Sequence, residues 1–434
     1  MNFTVVPGSF AIARFAPADR VPSWAESGGF VSITRTAEEL SIVCDESRVP
    51  HDARADRGWR ALKLEGPLPL TMTGVVSGFT SALSAAGISV FVVATYDTDY
   101  ILVKEERLES ALAALRADAS RFTLRRADLP RSFADDVRAG LAAPRKQLQP
   151  WFFYDALGSA LFAAICELPE YYVTRAEMEI FSRHGAEIAR AFREPGRLIE
   201  FGPGNASKTK LLLTPDTRLT YVPIDIDATM LQSAARDLLM QFPALRIEAI
   251  CGDYRDASRL VTRGGRTAVL FLGSSIGNLD MHNAASMLRD VRRMLSPGDA
   301  FLLGADLRKP KEIVEPAYDD ALGVTAAFDK NLLARINREL GGTFDVSRFD
   351  HRAFFNEVES RMEMHLVSRQ RQSVRIESLQ MDVQFEKGET IHTENSYKYA
   401  ESDLRALARE GGFTVDQIWT DSHRWFADVL MLAR

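Results

Sequence analysis

The stretch RLIEFGPGNASKTKLLL, residues 197–213, decides the fold predicted for this chain. It begins as an apolar strand with one acid, turns tightly at Gly202 and Gly204, and continues from Ser207 as a leucine-rich helix. Glycines at a strand-to-helix turn let the backbone approach a ligand closely, because no side chain stands in the way. A single GxG turn is weak evidence, so the strands that follow it carry the argument.

Three further apolar strands come after the glycine turn: LTYVPIDID (219–227), IEAICGDYRD (247–256) and TAVLFLGSSIGNL (267–279). Asp225 ends the first of them, where a carboxylate can accept hydrogen bonds from both hydroxyls of a ribose. Asp253 and Tyr254 end the second, and they suit the amino group and the flat face of an adenine. Strands that alternate with helices predict a doubly wound parallel sheet, which binds ligands at the carboxyl ends of its strands.

The glycine pattern of this turn distinguishes between a dinucleotide ligand and a nucleoside ligand. Dinucleotide enzymes normally carry GxGxxG, and the third glycine is missing here. A nucleoside without a pyrophosphate therefore fits better. Lys208, on the predicted helix, is placed to meet a carboxylate carried by such a nucleoside. A solvated helix lysine is the alternative.

The amino-acid composition limits the kinds of protein and the kinds of site that can be expected. The chain has 434 residues, of which 46% are hydrophobic and 26% charged, so we expect a globular protein with two or three domains. The formal net charge of −6 argues against nucleic acid as the main partner. The seven histidines lack metal-ligand spacing, so we predict no metal site. Cys44, Cys166 and Cys251 are widely separated and predict free thiols in a reducing cytoplasm.

No membrane association or secretion is expected. The first residues, MNFTVVPGSFAIARF, do not form a signal peptide, and no stretch approaches the roughly 20 apolar residues that span a bilayer. Together with the free thiols, this predicts a cytoplasmic protein.

Residues 1–118 predict a small α+β domain, with short β-rich segments and two helical patterns at 77–86 and 108–119. The arginine-rich residues 119–147 are interpreted as a linker that leads into the helical segment FADDVRAGLAA (133–143). The front segments resemble ferredoxin-like ACT ligand-sensing domains through three matches: GGFVSITRTAEELSIVC (28–44), GWRALKLEGPL (58–68) and AGISVFVVATYDTDYILVK (86–104).

In ACT domains an amino acid binds at interfaces between ACT units, so the resemblance implies an amino-acid effector and pairing between chains as a homodimer. The residues near such a site would be Gly87, Ile88, Ser89, Thr95, Asp97 and Asp99. The alternative is a module that serves only packing or dimerisation.

The rest of the chain, residues 119–434, resembles the histidine Nα-methyltransferase family of ergothioneine biosynthesis. The matching motifs are WFFYDALGSALF (151–162), LPEYYVTRAE (168–177), FGPGNASKT (201–209), FLGSSIGNL (271–279), YDDALGVTAAF (318–328), NRELGG (337–342) and TENSYKY (393–399). The resemblance implies a Rossmann-like core dependent on S-adenosylmethionine, at about 191–305 and 398–434, with a substrate domain at about 125–190 and 306–397. It also implies trimethylation of histidine to hercynine.

Substrate residues are carried over from the family one position at a time. Asn278 and Tyr318 match the positions that hold the substrate α-carboxylate, while Glu394 and Ser396 match the pair that binds the imidazole ring. Tyr154 matches a tyrosine beside the amino group and is the candidate proton relay. Phe162 matches an aromatic wall, and Met364 a residue that favours histidine over larger rings. Core packing is the alternative for Tyr154 and Met364, and a solvated or salt-bridged strand residue is the alternative for Glu394.

The cofactor positions that match the family are Tyr171, Gly202, Lys208, Asp225, Asp253 and Tyr254. Two departures stand out: residues 203–206 differ from the commoner Ser-Gly-Thr-Ser loop, and Tyr254 replaces a frequent phenylalanine. Two other functions stay open. One is methylation of another amino acid or amine, and the other is an amino-acid sensor built on a non-catalytic methyltransferase scaffold.

Overall fold

The computed structural model describes residues 3–67, 75–127, 132–254, 258–261 and 264–434. The chain divides into two compact units, Met1–Thr123 and Leu124–Arg434. Within the described residues, no helix is long and apolar enough to cross a membrane.

The front unit is an antiparallel sheet in the order β3-β4-β2-β5-β7-β6, with β1 paired to β5. Its strands are β1 (Phe3–Val5), β2 (Phe10–Phe15), β3 (Ser32–Arg35), β4 (Leu40–Asp45), β5 (Ala55–Leu64), β6 (Phe91–Ala94) and β7 (Asp99–Lys104). Helices α1 (Val75–Ala85) and α2 (Leu108–Arg121) pack on one another. Period-two alternation sends Leu62 and Leu64 of β5 into a core with Phe79 and Leu83 of α1.

The rear unit is built on a sheet in the order β19-β20-β13-β12-β9-β10-β11-β8. Its strands are β8 (Phe122–Arg126), β9 (Arg197–Phe201), β10 (Thr220–Asp225), β11 (Arg246–Cys251), β12 (Thr267–Phe271), β13 (Ala300–Asp306), β19 (Phe413–Thr420) and β20 (Phe426–Ala433). Strands β9 to β13 run parallel, and β20 lies antiparallel between β13 and β19. All residues of β12 and β13 are buried, as expected for central parallel strands.

The strand order reverses beside β9, because β10 and β11 extend the sheet to one side and β12 and β13 to the other. Such a switch point opens a ligand crevice at the carboxyl ends of the strands. The helices of this unit are α3 (Phe133–Ala142), α4 (Ala156–Glu167), α5 (Tyr172–Ala191), α6 (Ser207–Lys210), α7 (Ala228–Gln241), α8 (Met281–Met294), α9 (Lys311–Val314), α10 (Val324–Leu340) and α11 (Glu401–Gly411). The predicted Rossmann-like fold is therefore confirmed.

One sequence interpretation is wrong. The segment 119–147 is not simply a linker, because Phe122–Arg126 forms strand β8 at the edge of the sheet. The N–H of Ala127 donates to Cys251 O at 2.9 Å. Gly252 permits this approach, since a Cβ there would lie 2.8 Å from the Ala127 Cβ. The strand has a period-two pattern in which Phe122 and Leu124 are half-buried, but the neighbouring arginines make the segment polar in composition.

An insertion after β13 forms a second, three-stranded antiparallel sheet in the order β14-β15-β18. Its strands are β14 (Phe349–Asn356), β15 (Arg361–Ser368) and β18 (Thr390–Tyr397), with the hairpin β16 (Gln372–Ile376) and β17 (Met381–Phe385) nearby in sequence. The two ends of the insertion meet, because the Tyr399 N–H donates to Asp306 O at 2.9 Å. Strand β18 also lies against the turn Ser275–Asn278 after β12, where a Cβ on Gly277 would come within 3.1 Å of Tyr397 O.

Candidate active site

The turn after β9 leaves open space beside the backbone. Gly202 and Gly204 have φ of +65° and +55°, a conformation that favours glycine. A Cβ added at either position would meet nothing within 4 Å. The Gly202 N–H donates to Ile224 O at 2.8 Å and fixes the turn against β10. The backbone is therefore exposed to a ligand at the switch point of the sheet.

The predicted ribose and adenine residues lie at the same sheet edge. Asp225 ends β10 opposite Cys251 of β11, and its carboxylate accepts the Asp227 N–H at 3.0 Å. Burial raises the pKa of the Asp225 carboxyl above its usual range. Asp253 and Tyr254 follow β11, and the Tyr254 ring lies 5.6 Å from the ring of Phe201. The three residues follow neighbouring parallel strands, so they lie at the edge of the sheet where the glycine turn after β9 also lies.

Lys208 forms a buried ion pair with Glu177 of α5. The Glu177 side chain is 0% exposed, and its carboxylate also accepts the Gly273 N–H at 2.8 Å. Burial disfavours the charge of Lys208, but the Glu177 carboxylate outweighs it and raises the lysine pKa. Lys208 is thus not a solvated helix lysine. Glu177 itself was missed, although it ends the quoted motif LPEYYVTRAE as an acid among buried helix positions.

A wall of aromatic rings connects the cofactor and substrate positions. Tyr154 lies 5.5 Å from Phe162, Phe162 lies 6.1 Å from Tyr171, and Tyr171 lies 6.4 Å from Tyr318, measured between ring centroids. Phe328 of α10 contacts both Tyr154 and Phe162 and was not singled out from the sequence. Burial and the Glu394 carboxylate raise the pKa of Tyr154 well above its usual value, so its phenol stays protonated.

The predicted polar substrate residues form one cluster. Tyr318 Oη donates to Ser396 Oγ at 2.8 Å. In the amide orientation that satisfies both of its polar atoms, Asn278 donates from Nδ2 to Glu394 Oε1 at 3.2 Å. Glu394 and Ser396 lie two residues apart on β18 and share a face, and Met364 lies opposite Glu394 on β15. Met364 is 2% exposed.

Glu394 has an unusual electrostatic environment. Burial raises its pKa to about 7, and the nearby Asp329 carboxylate acts in the same direction. Asp329 is fully buried and faces His351, whose Nδ1 lies 2.7 Å from Asp329 Oδ2. Neither Asp329 nor His351 was identified from the sequence, because only the fold brings α10 and β14 close enough for their charges to act on Glu394.

Two histidines do come together with an acid on the other face of the second sheet. Ligand atoms of Glu363, His365 and His392 lie within 4.8 Å of one another, an arrangement that the sequence spacing did not predict. Arg361 donates to Glu363 Oε1 at 2.9 Å, and Oε2 lies 3.1 Å from His365 Nε2. Burial opposes ionisation of Glu363, but hydrogen bonds from Asn356 and Arg361 outweigh it and lower its pKa to about 2. The carboxylate charge is therefore already compensated by protein groups.

The front-unit residues predicted to lie near an effector do not converge within one chain. Gly87 to Ser89 precede β6, whereas Thr95 and Asp97 lie in the turn at its other end and Asp99 begins β7. A cavity of about 430 Å³ instead lies between residues 26–32 and 93–95, with Tyr100 on its wall. Thr95 is the one predicted effector residue among those that line this cavity.

The sheet order, the open glycine turn and the acids after β10 and β11 define a class of protein, the S-adenosylmethionine-dependent methyltransferases with a Rossmann-like core. The family model "Histidine-specific methyltransferase, SAM-dependent" matches residues 133–433. The chain belongs to this family. An ACT domain model matches residues 54–117, so the front unit contains an ACT domain.

Relatives with assigned functions agree with the family match. The histidine N-alpha-methyltransferase of Mycolicibacterium smegmatis is 42% identical over 311 residues, which cover 71% of this chain and 94% of the relative. The protein of the same name from Mycobacterium tuberculosis is 41% identical over 311 residues, with the same coverage. Ergothioneine biosynthesis protein 1 of Schizosaccharomyces pombe is 30% identical over 284 residues, covering 62% of this chain and 36% of that protein.

Proposed function

We propose that this protein transfers methyl groups from S-adenosylmethionine to the α-amino group of histidine and forms trimethylhistidine. The observation that carries the proposal is the polar cluster of Asn278, Tyr318, Glu394 and Ser396, which lies beside Met364 and the aromatic wall. An amide N–H and a phenol O–H suit a carboxylate, and the two neighbouring polar groups on β18 suit the two nitrogens of an imidazole. The identities of 41–42% to histidine N-alpha-methyltransferases support the same substrate.

The open glycine turn and Asp225 fit S-adenosylmethionine, because its nucleoside needs a close backbone and a carboxylate for the ribose. Bound there, it supplies a methyl group that is already activated by the sulfonium charge. Asp253 and Tyr254 are the proposed adenine contacts. Lys208, held by Glu177, is the proposed partner of the cofactor carboxylate.

The main task of the protein is alignment. The neutral amine forms a bond to the methyl carbon as the carbon–sulfur bond breaks, and the positive charge moves from sulfur to nitrogen. Repeated transfer requires loss of a proton from nitrogen between rounds. Since the Tyr154 phenol stays protonated, we assign it to hold the amine and relay its proton rather than to act as an anionic base.

The remaining assignments also belong to the proposal. The substrate domain comprises about 125–190 and 306–397, and the ACT-containing front unit binds an amino-acid effector and pairs chains as a homodimer. The three free cysteines support a location in the reducing cytoplasm. Another amino acid or amine as substrate is the competing assignment, and it predicts that histidine is not preferred.

The test combines a substrate panel with variants of Glu394 and Met364. Purified protein with labelled S-adenosylmethionine should methylate histidine in preference to tryptophan and phenylalanine. Glu394→Ala should lower kcat/KM for histidine about ten- to a hundredfold, because a hydrogen bond to a charged group is lost, and should lower it much less for the other two. Adding Met364→Ala should open room for the larger rings.

Glu357→Ala is the matched control, since Glu357 is exposed in the turn after β14. It should leave all three kcat/KM values unchanged. A wild-type preference for a non-imidazole amino acid, or an unchanged histidine-to-tryptophan ratio in Glu394→Ala, would overturn the histidine assignment. The methyltransferase class would survive either result, because it rests on Gly202, Asp225 and the sheet topology.

A further inference from the structure

We propose that His351 is a positioning residue for recognition of the substrate carboxylate: its ring holds the backbone of Tyr318 in the orientation from which the phenol binds that carboxylate. This inference rests on the proposed role of Tyr318 and deepens it. It assigns a part in substrate binding to a buried histidine of β14 that acts through the backbone of another residue.

The ring of His351 lies between two hydrogen-bond acceptors, and its side chain is 2% exposed. Its Nδ1 lies 2.7 Å from Oδ2 of Asp329 on α10, and its Nε2 lies 2.8 Å from the backbone O of Tyr318. A carbonyl oxygen only accepts, and so does an ionised carboxylate, so both ring nitrogens donate and the ring is an imidazolium. Burial disfavours this charge, but the hydrogen bond and the charge of Asp329 outweigh it and raise the pKa of His351.

Asp329 holds the ring in this orientation. Its side chain is 0% exposed, and its second oxygen, Oδ1, is buried without a hydrogen-bond partner in the part of the chain that the structure describes. Removing the partner of a buried charge is strongly destabilising. The ring of His351 therefore cannot turn away without leaving the Asp329 carboxylate unpaired, and Nε2 stays directed at Tyr318.

The backbone of Tyr318 lies in an irregular segment. It follows the short turn Glu315–Ala317 and precedes α10, so its carbonyl belongs neither to a helix nor to a strand. The Tyr318 N–H donates to Glu315 O at 2.9 Å, and the carbonyl accepts from the ring of His351. His351 thus ties this segment to β14 of the second sheet.

The phenol of Tyr318 has one proton to give, so its aim is decisive. It donates to Ser396 Oγ at 2.8 Å, and in the proposed complex the same O–H donates to the carboxylate instead. Lys398 does not compete for this proton, because an ammonium group only donates. Hydrogen bonds weaken steeply as their angle closes. The turn from the serine to the carboxylate therefore requires a fixed phenol, and the backbone of Tyr318 sets its position.

Histidine and its α-amide isolate the carboxylate contact, because the two molecules share the ring and the amino group. The measured quantity is the ratio of kcat/KM for histidine to kcat/KM for histidinamide. His351→Leu should lower this ratio about tenfold, as expected for the loss of one hydrogen bond. Comparison of each variant with the wild type cancels the different basicity of the two amines. Altered packing that lowers both rates alike does not change the ratio.

Two conservative variants separate the two hydrogen bonds of the ring. Glutamine places a side-chain N–H near the position of Nε2, so His351→Gln keeps the donor to Tyr318. Asparagine places it near Nδ1, so His351→Asn keeps only the bond to Asp329. His351→Gln should therefore keep the ratio close to the wild-type value, whereas His351→Asn should lower it as His351→Leu does. Both variants are repeated together with Asp329→Asn, so that no unpaired charge stays buried, and circular dichroism identifies the proteins that fold.

His282→Leu is the matched control, since His282 is exposed on α8 and its replacement should leave the ratio unchanged. A His351→Leu or His351→Asn protein that keeps the wild-type ratio would overturn the inference. So would a His351→Gln protein that loses as much as His351→Asn, with or without Asp329→Asn. Failure of the proposed function gives different results: the wild type does not prefer histidine in the amino-acid panel, or Tyr318→Phe leaves the histidine-to-histidinamide ratio unchanged.

Discussion

Replacing Glu394 by glutamine should stabilise the ligand-free protein at alkaline pH. Burial raises the pKa of Glu394 from an ordinary value of 4.5 to about 7. The carboxyl therefore ionises in the unfolded chain at a lower pH than in the folded chain. Its contribution to stability is complete below pH 4.5 and is lost as the pH rises through 7. Since each pKa unit is worth about 1.4 kcal/mol, the full loss corresponds to about 3 kcal/mol.

Glutamine has nearly the same shape and no charge to desolvate, so the variant avoids this loss. Urea unfolding of the wild type and of Glu394→Gln, without ligands, gives the free energy of unfolding at each pH. The advantage of the variant should be below about 1 kcal/mol at pH 5 and about 3 kcal/mol at pH 8.5. Comparing the two proteins cancels the titration of all other groups.

The control for this experiment is Glu357→Gln: the Glu357 side chain is exposed and forms a surface ion pair with Lys311, which contributes little to stability, so the variant should follow the wild type across the pH range. An advantage of Glu394→Gln that does not change between pH 5 and 8.5 would show that burial does not perturb Glu394. Lower stability of the variant at pH 8.5 would refute the reasoning as well.

Two further predictions concern the cofactor and the front unit. Asp225→Ala should weaken S-adenosylmethionine binding by about 1–3 kcal/mol, as expected for lost hydrogen bonds to a charged group, and an unchanged affinity in calorimetry would remove Asp225 from the site. A protein shortened to begin at Ala117, which keeps β8, should retain histidine methylation, because the proposed site residues all lie beyond Thr123; a folded but inactive protein that is rescued by adding residues 1–116 in trans would contradict this.

The parallel core was predictable from the sequence, because continuous apolar strands that end in Gly202, Asp225 and Asp253 are typical of a buried parallel sheet that binds a nucleoside. The motifs also contain the polar residues that the fold brings together around Glu394. The edge strand β8 was missed, because its arginines dominate the composition while only Phe122 and Leu124 keep the period-two pattern. An edge strand needs few buried side chains, so its sequence signal is weak.

The sequence did not reveal the buried charged groups that support the predicted site residues. Asp306 and Asp329 contact the predicted site residues through partners far away in sequence, and nothing local marks them, whereas Glu177 ends a quoted motif but has its partner Lys208 on another helix. A buried charge is stable only when the fold supplies its partner, and the partner becomes known only with the fold. Lys398 illustrates this: its motif was quoted, but its buried ammonium group pairs with Asp306 of β13, outside the motif.

Close packing at Gly277 is one of the contacts that join the turn after β12 to strand β18. Asn278 belongs to the turn after β12 of the core, whereas Glu394 and Ser396 belong to the insertion. Gly277 lets β18 approach this turn, since any Cβ would lie 3.1 Å from Tyr397 O and 3.3 Å from Ser396 Oγ. The same contact places Asn278 within hydrogen-bond distance of Glu394. The insertion that carries the proposed ring-binding residues thus packs on the core beside a glycine, and a side chain at that position would require its neighbours in β18 to shift.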